Sequence, residues 1–505
     1  MSASIVLSII IAYFAIIFLV SWITTRKAST NENQAFFTGE RKSPWWVVAI
    51  AMIGTSISGV TFISVPGMVA GTQFSYLQMV FGFVAGYFAI AYILLPLYYR
   101  LNLSSIYGYL EQRFGQRAYR TGALFFLLSK FLGCGVRMYL TALVLQLVLF
   151  DGLNIPFGLN VAVTMIVVWI YTFKGGVKTL VWTDMLQTLS LIAAVVLCIY
   201  YVCQAMHLDA SGLWNTIIDN PMSKTWFFDD ALDKRYFWKQ FLAGAFTTIA
   251  MTGLDQDMMQ KNLSCKTLKD AKKNVISYGF GFLPVNLLFL ALGILLYLFA
   301  DQQNISVEKP DQLFPAIATG VNADGISYMP MVVGVLFVLG LIAAAFSSAG
   351  SAVTALTTSV TIDILQADKR QDASQLKKTR LRVHILNCLV MGLLIYLFKV
   401  IGSGSVINAV YVIASYTYGP LLGLYLFGLY TKRSSRDSWI PYICVISPLL
   451  CLLLSTYSEE WFGGYQIGFE LLLYNAAFTS LGLWMASLHG DGRHDECASL
   501  EQKEQ

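Results

Sequence analysis

Runs of apolar residues recur from one end of the chain to the other, separated by short polar stretches. Each is long enough to cross a hydrocarbon layer of about 30 Å as an α-helix. About thirteen runs are read, near 4–23, 45–65, 74–99, 118–149, 156–175, 182–206, 238–258, 275–300, 327–365, 382–400, 404–430, 438–457 and 464–488. The longest, near 118–149 and 327–365, exceed one bilayer thickness and are expected to tilt or to extend beyond it. The pattern predicts an all-α polytopic membrane protein with the lipid bilayer as its principal partner. The first run lacks a basic leader region and a small-residue cleavage pattern, so it is read as a retained span.

Two runs are interrupted where hydrocarbon favours Leu and Ile. The second contains Ile53-Gly54-Thr55-Ser56-Ile57-Ser58-Gly59-Val60-Thr61-Phe62, followed by Pro66-Gly67. Small and hydroxylated residues there allow close helix packing, or else a discontinuous helix whose freed carbonyls and hydroxyls hold a cation and a solute. The ninth repeats the signal in Ala343-Ala344-Ala345-Phe346-Ser347-Ser348-Ala349-Gly350-Ser351, with at least two hydroxyls on one face. Hydroxyl and carbonyl oxygens suit an alkali cation, and neither run has the paired carboxylates a divalent ion favours. A further weak stretch is read near Gly244–Gly253 in the seventh run.

Composition agrees with the pattern. Of 505 residues, 56% are hydrophobic and 12% charged, and the mean hydropathy is +0.62. The net charge of +5 does not call for nucleic acid, because the basic residues fall in short loops between runs. With the N-terminus outside, about 26 Lys and Arg residues lie on the cytoplasmic side and about five outside, which also places the C-terminus in the cytoplasm of a plasma (inner) membrane. The 8 cysteines and 4 histidines form no zinc-type or disulfide pattern, and no hydrolase, metalloprotease or P-loop motif appears. The expected chemistry is binding and movement, not catalysis.

Charged residues inside the runs then stand out. Arg137 lies near the centre of the fourth, where a guanidinium costs at least about 2.5–3.5 kcal/mol. It is read either as an internal ion pair with Asp184, Asp255 or Asp257, or as a bidentate clamp for a substrate carboxylate. Lys130 is two turns down the same face. Trp182-Thr183-Asp184 opens the sixth run, where Thr or Asp is usually a helix cap, and Gly253-Leu254-Asp255-Gln256-Asp257 closes the seventh, a candidate polar end at the interface.

At these residues the chain resembles the sodium:solute symporter family, which includes sodium/glucose, sodium/proline, pantothenate and sialic acid transporters. The resemblance covers nearly the whole chain and implies a LeuT-type 5+5 inverted repeat with discontinuous helices. It divides the sequence into an extra N-terminal helix and loop (1–43), a first repeat (44–206), an external loop (207–237), a second repeat (238–430), two further helices (431–488) and a tail (489–505). It further implies a main sodium site from the carbonyls of Gly54, Ile57 and Ala344 and the hydroxyls of Ser347 and Ser348. A second sodium site, found in some members, would use Asp184 and Ser351, but Gly350 stands where a further hydroxyl is required, so one sodium per cycle is expected. Ser56, Ser58 and Thr61 match substrate-contacting positions of the sialic acid transporters. The arginine that holds the carboxylate there is replaced by Gly133, with Arg137 one turn on, and the sugar transporters' glutamine aligns near Val412. Tyr76, Gln78, Thr248 and Asp255 complete the candidate substrate pocket by position.

The function implied is sodium-coupled import of a small organic solute by alternating access, with an anion such as a carboxylate or acidic sugar as the candidate. Proton coupling through Asp184 or Asp255 and a passive channel are the alternatives.

Overall fold

The computed structural model describes residues 3–26, 32–103, 105–173, 176–321, 326–401 and 406–487. Among them there is no strand, only two isolated β-bridges, and the principal elements are helices. They are α1 (Ala3–Arg26), α2 (Trp45–Ser56), α3 (Gly59–Thr72), α4 (Tyr76–Ala89), α5 (Gln116–Leu145), α6 (Phe157–Thr172) and α7 (Gly176–Ala205). Then follow α8 (Phe237–Thr248), α9 (Gln256–Asn262), α10 (Leu268–Gln302), α11 (Met331–Ser359) and α12 (Ala373–Ile401). The last are α13 (Val406–Tyr430), α14 (Ile440–Trp461) and α15 (Leu471–Ser487). Nine helical stretches among the described residues are long and apolar enough to cross a membrane alone, accompanied by the shorter apolar α2, α6 and α15. The tail 489–505, the start of the predicted run at 404, and Lys27, Lys174, Arg493 and Lys503 lie outside the described residues.

Two helix breaks organise the bundle. The first is confined to Ile57 and Ser58, whose ψ angles of 85° and 173° leave the helical region between α2 and α3. It is shorter than the predicted interruption, because α3 runs through Pro66 and Gly67 without a break. Proline removes only one amide from the ladder there, and Tyr297 donates a 2.5 Å hydrogen bond to the Gly67 carbonyl. The second break falls at Leu254 and Asp255, after a π-helical turn over Ile249–Gly253 that closes α8. Gly244 belongs instead to the intact part of α8, where the missing side chain lets α4 approach: a β-carbon on Gly244 would strike the Met79 carbonyl, and one on Gly82 the Phe241 carbonyl. Each break thus opens a series of five helical segments, α2/α3 to α7 and α8/α9 to α13.

Helix α7 starts six residues before the predicted run, at Gly176, so Asp184 is not a terminal cap but a fully buried residue inside the helix. Asp255 is likewise no interfacial helix end. It is 1% exposed and accepts hydrogen bonds from the amides of Asp257 and Met258, capping α9 within the bundle. The short helix Glu32–Thr38 is held under α12 and α9: Asn33 donates to the Ala373 carbonyl, Gln260 to the Phe37 carbonyl, and the buried Arg380 guanidinium lies 4.4 Å from the Phe36 ring centre.

Because α4 and α8 meet backbone to backbone, Gly244→Leu is expected to push them apart and to lower unfolding stability by about 1–3 kcal/mol or more. Thermal melting of the detergent-solubilised protein reads this, with the exposed Gly71→Ala change, whose β-carbon meets nothing within 4 Å, as a silent control.

Candidate functional site

The two breaks differ in how their freed backbone groups are satisfied. At the second, the Gly253 carbonyl accepts from Tyr98 Oη at 2.9 Å and the Leu254 carbonyl from Tyr107 Oη at 3.1 Å, while Asp255 takes the free amides of α9. At the first, the Ser58 amide turns to the Ser56 carbonyl, and no backbone amide among the described residues bonds the carbonyls of Gly54 or Ile57. Helix α11 packs against this point, where Ser348 Oγ donates to the Thr55 carbonyl at 3.1 Å. The neighbouring Ser347 hydroxyl is fully buried, makes no hydrogen bond of good geometry, and lies beside Asp184. Ala344 sits one turn earlier on α11, 1% exposed. Unbonded carbonyls and a buried unpartnered hydroxyl in one place form an oxygen-rich setting of the kind a hard monovalent cation takes.

Beside this lies a cavity of about 120 Å³ between α3, α4, α5, α8, α11 and α13. Ser56, Ser58, Thr61, Tyr76, Arg137, Thr248, Asp255 and Ser348 all line it. The hydroxyls of Tyr76 and Tyr411 meet at 3.1 Å, and Tyr87 donates to Tyr278 at 2.8 Å while Tyr278 and Ser56 share a hydrogen bond. Gln78 is the exception among the predicted substrate residues. Its amide nitrogen donates to the Arg235 carbonyl at 2.8 Å and its oxygen accepts from the Phe227 amide at 3.1 Å, so it fastens the segment before α8 instead of facing a solute. Val412 is 46% exposed on the outer face of α13, and its neighbours Val410 and Tyr411 take the cavity positions.

The charges sort themselves unexpectedly. Lys130, not Arg137, pairs with the buried carboxylates: its Nζ lies 3.1 Å from Asp255 and 2.7 Å from Asp257. Tyr418 donates a further hydrogen bond to Asp255, and Ser351 donates to Asp257. Asp184 is taken by Lys261 at 2.6 Å. The ion-pair reading of Arg137 therefore fails on all three proposed partners, and among the described residues its half-buried guanidinium has no carboxylate within ion-pair distance. It shares the cavity wall with Tyr76, Tyr411 and Tyr418. Of the residues a second sodium would use, Asp184 is paired with Lys261 and Ser351 donates to Asp257.

Sequence reasoning missed Lys261 by assigning it to a loop, although Asp257 and Lys261 stand at i, i+4 spacing on one short helix. It also missed Tyr411 and Tyr418, whose seven-residue spacing puts both on one face of α13.

Lys130→Met is expected to strand two carboxylates that are 2% and 3% exposed, lowering stability by about 3–5 kcal/mol. Adding Asp257→Asn should restore part of the lost melting temperature, because one stranded charge is then removed.

Comparison with known proteins places these features in context. The family model described as "Sodium:solute symporter family" matches residues 36–438. The chain is 24% identical to the sodium/sialic acid symporter SiaT of Proteus mirabilis over 90% of both chains. It is 27% identical to mouse sodium-coupled monocarboxylate transporter 2 over 81% of this chain and 64% of that one, and 25% identical to the human sodium/iodide cotransporter over 83% and 65%. The solved substrate-bound, outward-open structure of a Na+-coupled sialic acid symporter superposes with a TM-score of 0.80 at 20% identity, covering 96% of this chain and 98% of that one. A closed, bromovinylhydantoin-bound structure of the nucleobase-cation-symport-1 transporter Mhp1 superposes with a TM-score of 0.54 at 14% identity. The fold is therefore that of the broken-helix sodium symporters, and the chain belongs to the sodium:solute symporter family, membrane carriers that couple a small solute to sodium.

Proposed function

We propose that this symporter imports a small organic carboxylate with sodium by alternating access across a plasma (inner) membrane, crossing it thirteen times with the N-terminus outside and the C-terminus in the cytoplasm. The observation that carries the anionic solute is Arg137, a guanidinium in the cavity wall while Lys130 and Lys261 take the nearby carboxylates. Counted together, Asp184, Asp255 and Asp257 balance Lys130, Lys261 and Arg137. An added sodium leaves one positive charge in a low-dielectric region, and a carboxylate on Arg137 cancels it. The cavity is small beside the roughly 300–1,000 Å³ of drug-sized ligand sites, which favours a solute of a few heavy atoms over a large acidic sugar.

The sodium is assigned to the carbonyls of Gly54, Ile57 and Ala344 with the hydroxyls of Ser347 and Ser348. Ser56 and Ser58 flank Ile57 and line the cavity, so the same break serves ion and solute. Sodium that fixes the break also fixes the solute's hydroxyl contacts, and the two ligands bind with positive, reciprocal coupling. Within each repeat the carboxylates a proton-coupled carrier would titrate, Asp184 and Asp255, are paired with lysines, which supports sodium as the coupling ion.

Sodium, with potassium as control, is expected to stabilise the purified protein by about 2.7 kcal/mol at a hundred times its Kd, and Ser348→Ala to remove most of that shift. In proteoliposomes, sodium-driven pyruvate uptake is expected, with the methyl ester inactive, and Arg137→Gln should raise KM roughly ten- to a hundredfold. Unchanged KM in Arg137→Gln would remove the guanidinium from the solute site.

A further inference from the structure

We propose that Lys261 is a tethered cation that occupies the second cation position at Asp184 and so limits the carrier to one sodium ion. The proposal rests on the sodium reading above. Lys261 reaches from α9 to α7 and α2 at once: its Nζ lies 2.6 Å from Asp184 Oδ2 and donates to Thr55 Oγ1. The lysine is 1% exposed and the aspartate 0%, so neither charge is neutralised by solvent. Thr55 is one residue from Gly54, and its carbonyl accepts from Ser348, so the ammonium stands directly behind the oxygens assigned to the main sodium.

The other groups a second sodium would need are committed too. Ser351 donates to Asp257, and Asp257 is held by Lys130. At Gly350 a β-carbon would strike the hydroxyl of Tyr171, which donates to the Phe346 carbonyl, so this position is closed by an aromatic ring and not merely short of a hydroxyl. A sodium ion at Asp184 would have to displace the ammonium from Oδ2, or take the unpartnered Oδ1 and share the carboxylate with the ammonium against like-charge repulsion in a low-dielectric interior. The tether makes the displacement unfavourable, because an ammonium on the same chain needs no recruitment from solution.

The arrangement implies that removing the ammonium opens a site for sodium. Equilibrium binding of ²²Na⁺ to the purified, full-length protein counts the ions directly. Wild type is expected to bind one sodium with a Hill coefficient of 1. Lys261→Met is expected to bind two, with the second ion lost again in Lys261→Met/Asp184→Asn, which keeps the first. Two sodium ions bound to wild type would overturn the proposal, as would a folded Lys261→Met that binds only one at saturating sodium. Should Lys261→Met fail to fold, the double variant, whose pair is neutral, decides: loss of all sodium binding while folded would make Asp184 a ligand of the single ion and sink the tether. A folded wild type that binds no sodium at all would instead defeat the sodium reading on which the tether depends.

Discussion

A transmembrane helix must satisfy its own backbone, because lipid offers no hydrogen-bond partner, and this chain interrupts two helices in the middle of the bundle. Much of the surrounding structure answers to that constraint. Tyr98 and Tyr107 reach across from the first repeat to cover the carbonyls of the second break, and Asp255 covers its amides. Capping with a carboxylate then requires a cation, which Lys130 provides, and Lys130 also answers to Asp257. At the first break no backbone amide among the described residues covers the carbonyls of Gly54 and Ile57. One break is closed by the protein's own side chains, and the other is where the sodium is proposed to bind.

The same asymmetry relates the ion to the solute. Ser56 and Ser58, on either side of Ile57, both line the cavity. Tyrosines surround that cavity: Tyr76 with Tyr411, Tyr87 with Tyr278, and Tyr418 on Asp255. Their hydroxyls give orientation without charge, so on the proposed reading Arg137 is the group that sets the sign of the solute.

The bundle was legible in the sequence because hydrophobic period and length survive any detail of packing. The second and ninth runs announced themselves by small and hydroxylated residues at depth, and the structure joins them through Ser348 and Thr55. Less legible was which side chain meets which. Arg137 had three candidate carboxylates and took none, because Lys130, two turns earlier on the same helix, pairs with Asp255 and Asp257, and Lys261 on α9 pairs with Asp184. Gln78 looked like a pocket residue from its position, yet its amide was claimed by the backbone of a loop about 150 residues away. Such choices depend on three-dimensional competition between partners, and no local pattern records them. The interruption read near Gly244–Gly253 coincides at its far end with the π-helical turn Ile249–Gly253 and the break that follows it, whereas Gly244 marks close packing and not bending.

The buried pair of Lys261 and Asp184 bears on the energetics of accumulation. A carrier that moves one sodium with one carboxylate transfers no net charge, so the electrical potential across the membrane neither drives nor opposes the cycle. The solute can then be concentrated only as far as sodium itself is, about tenfold for each tenfold sodium ratio. In exchange, depolarisation leaves the inward flux untouched. On the proposed one-sodium cycle, a lysine in place of an ion thus trades concentrating power for indifference to voltage.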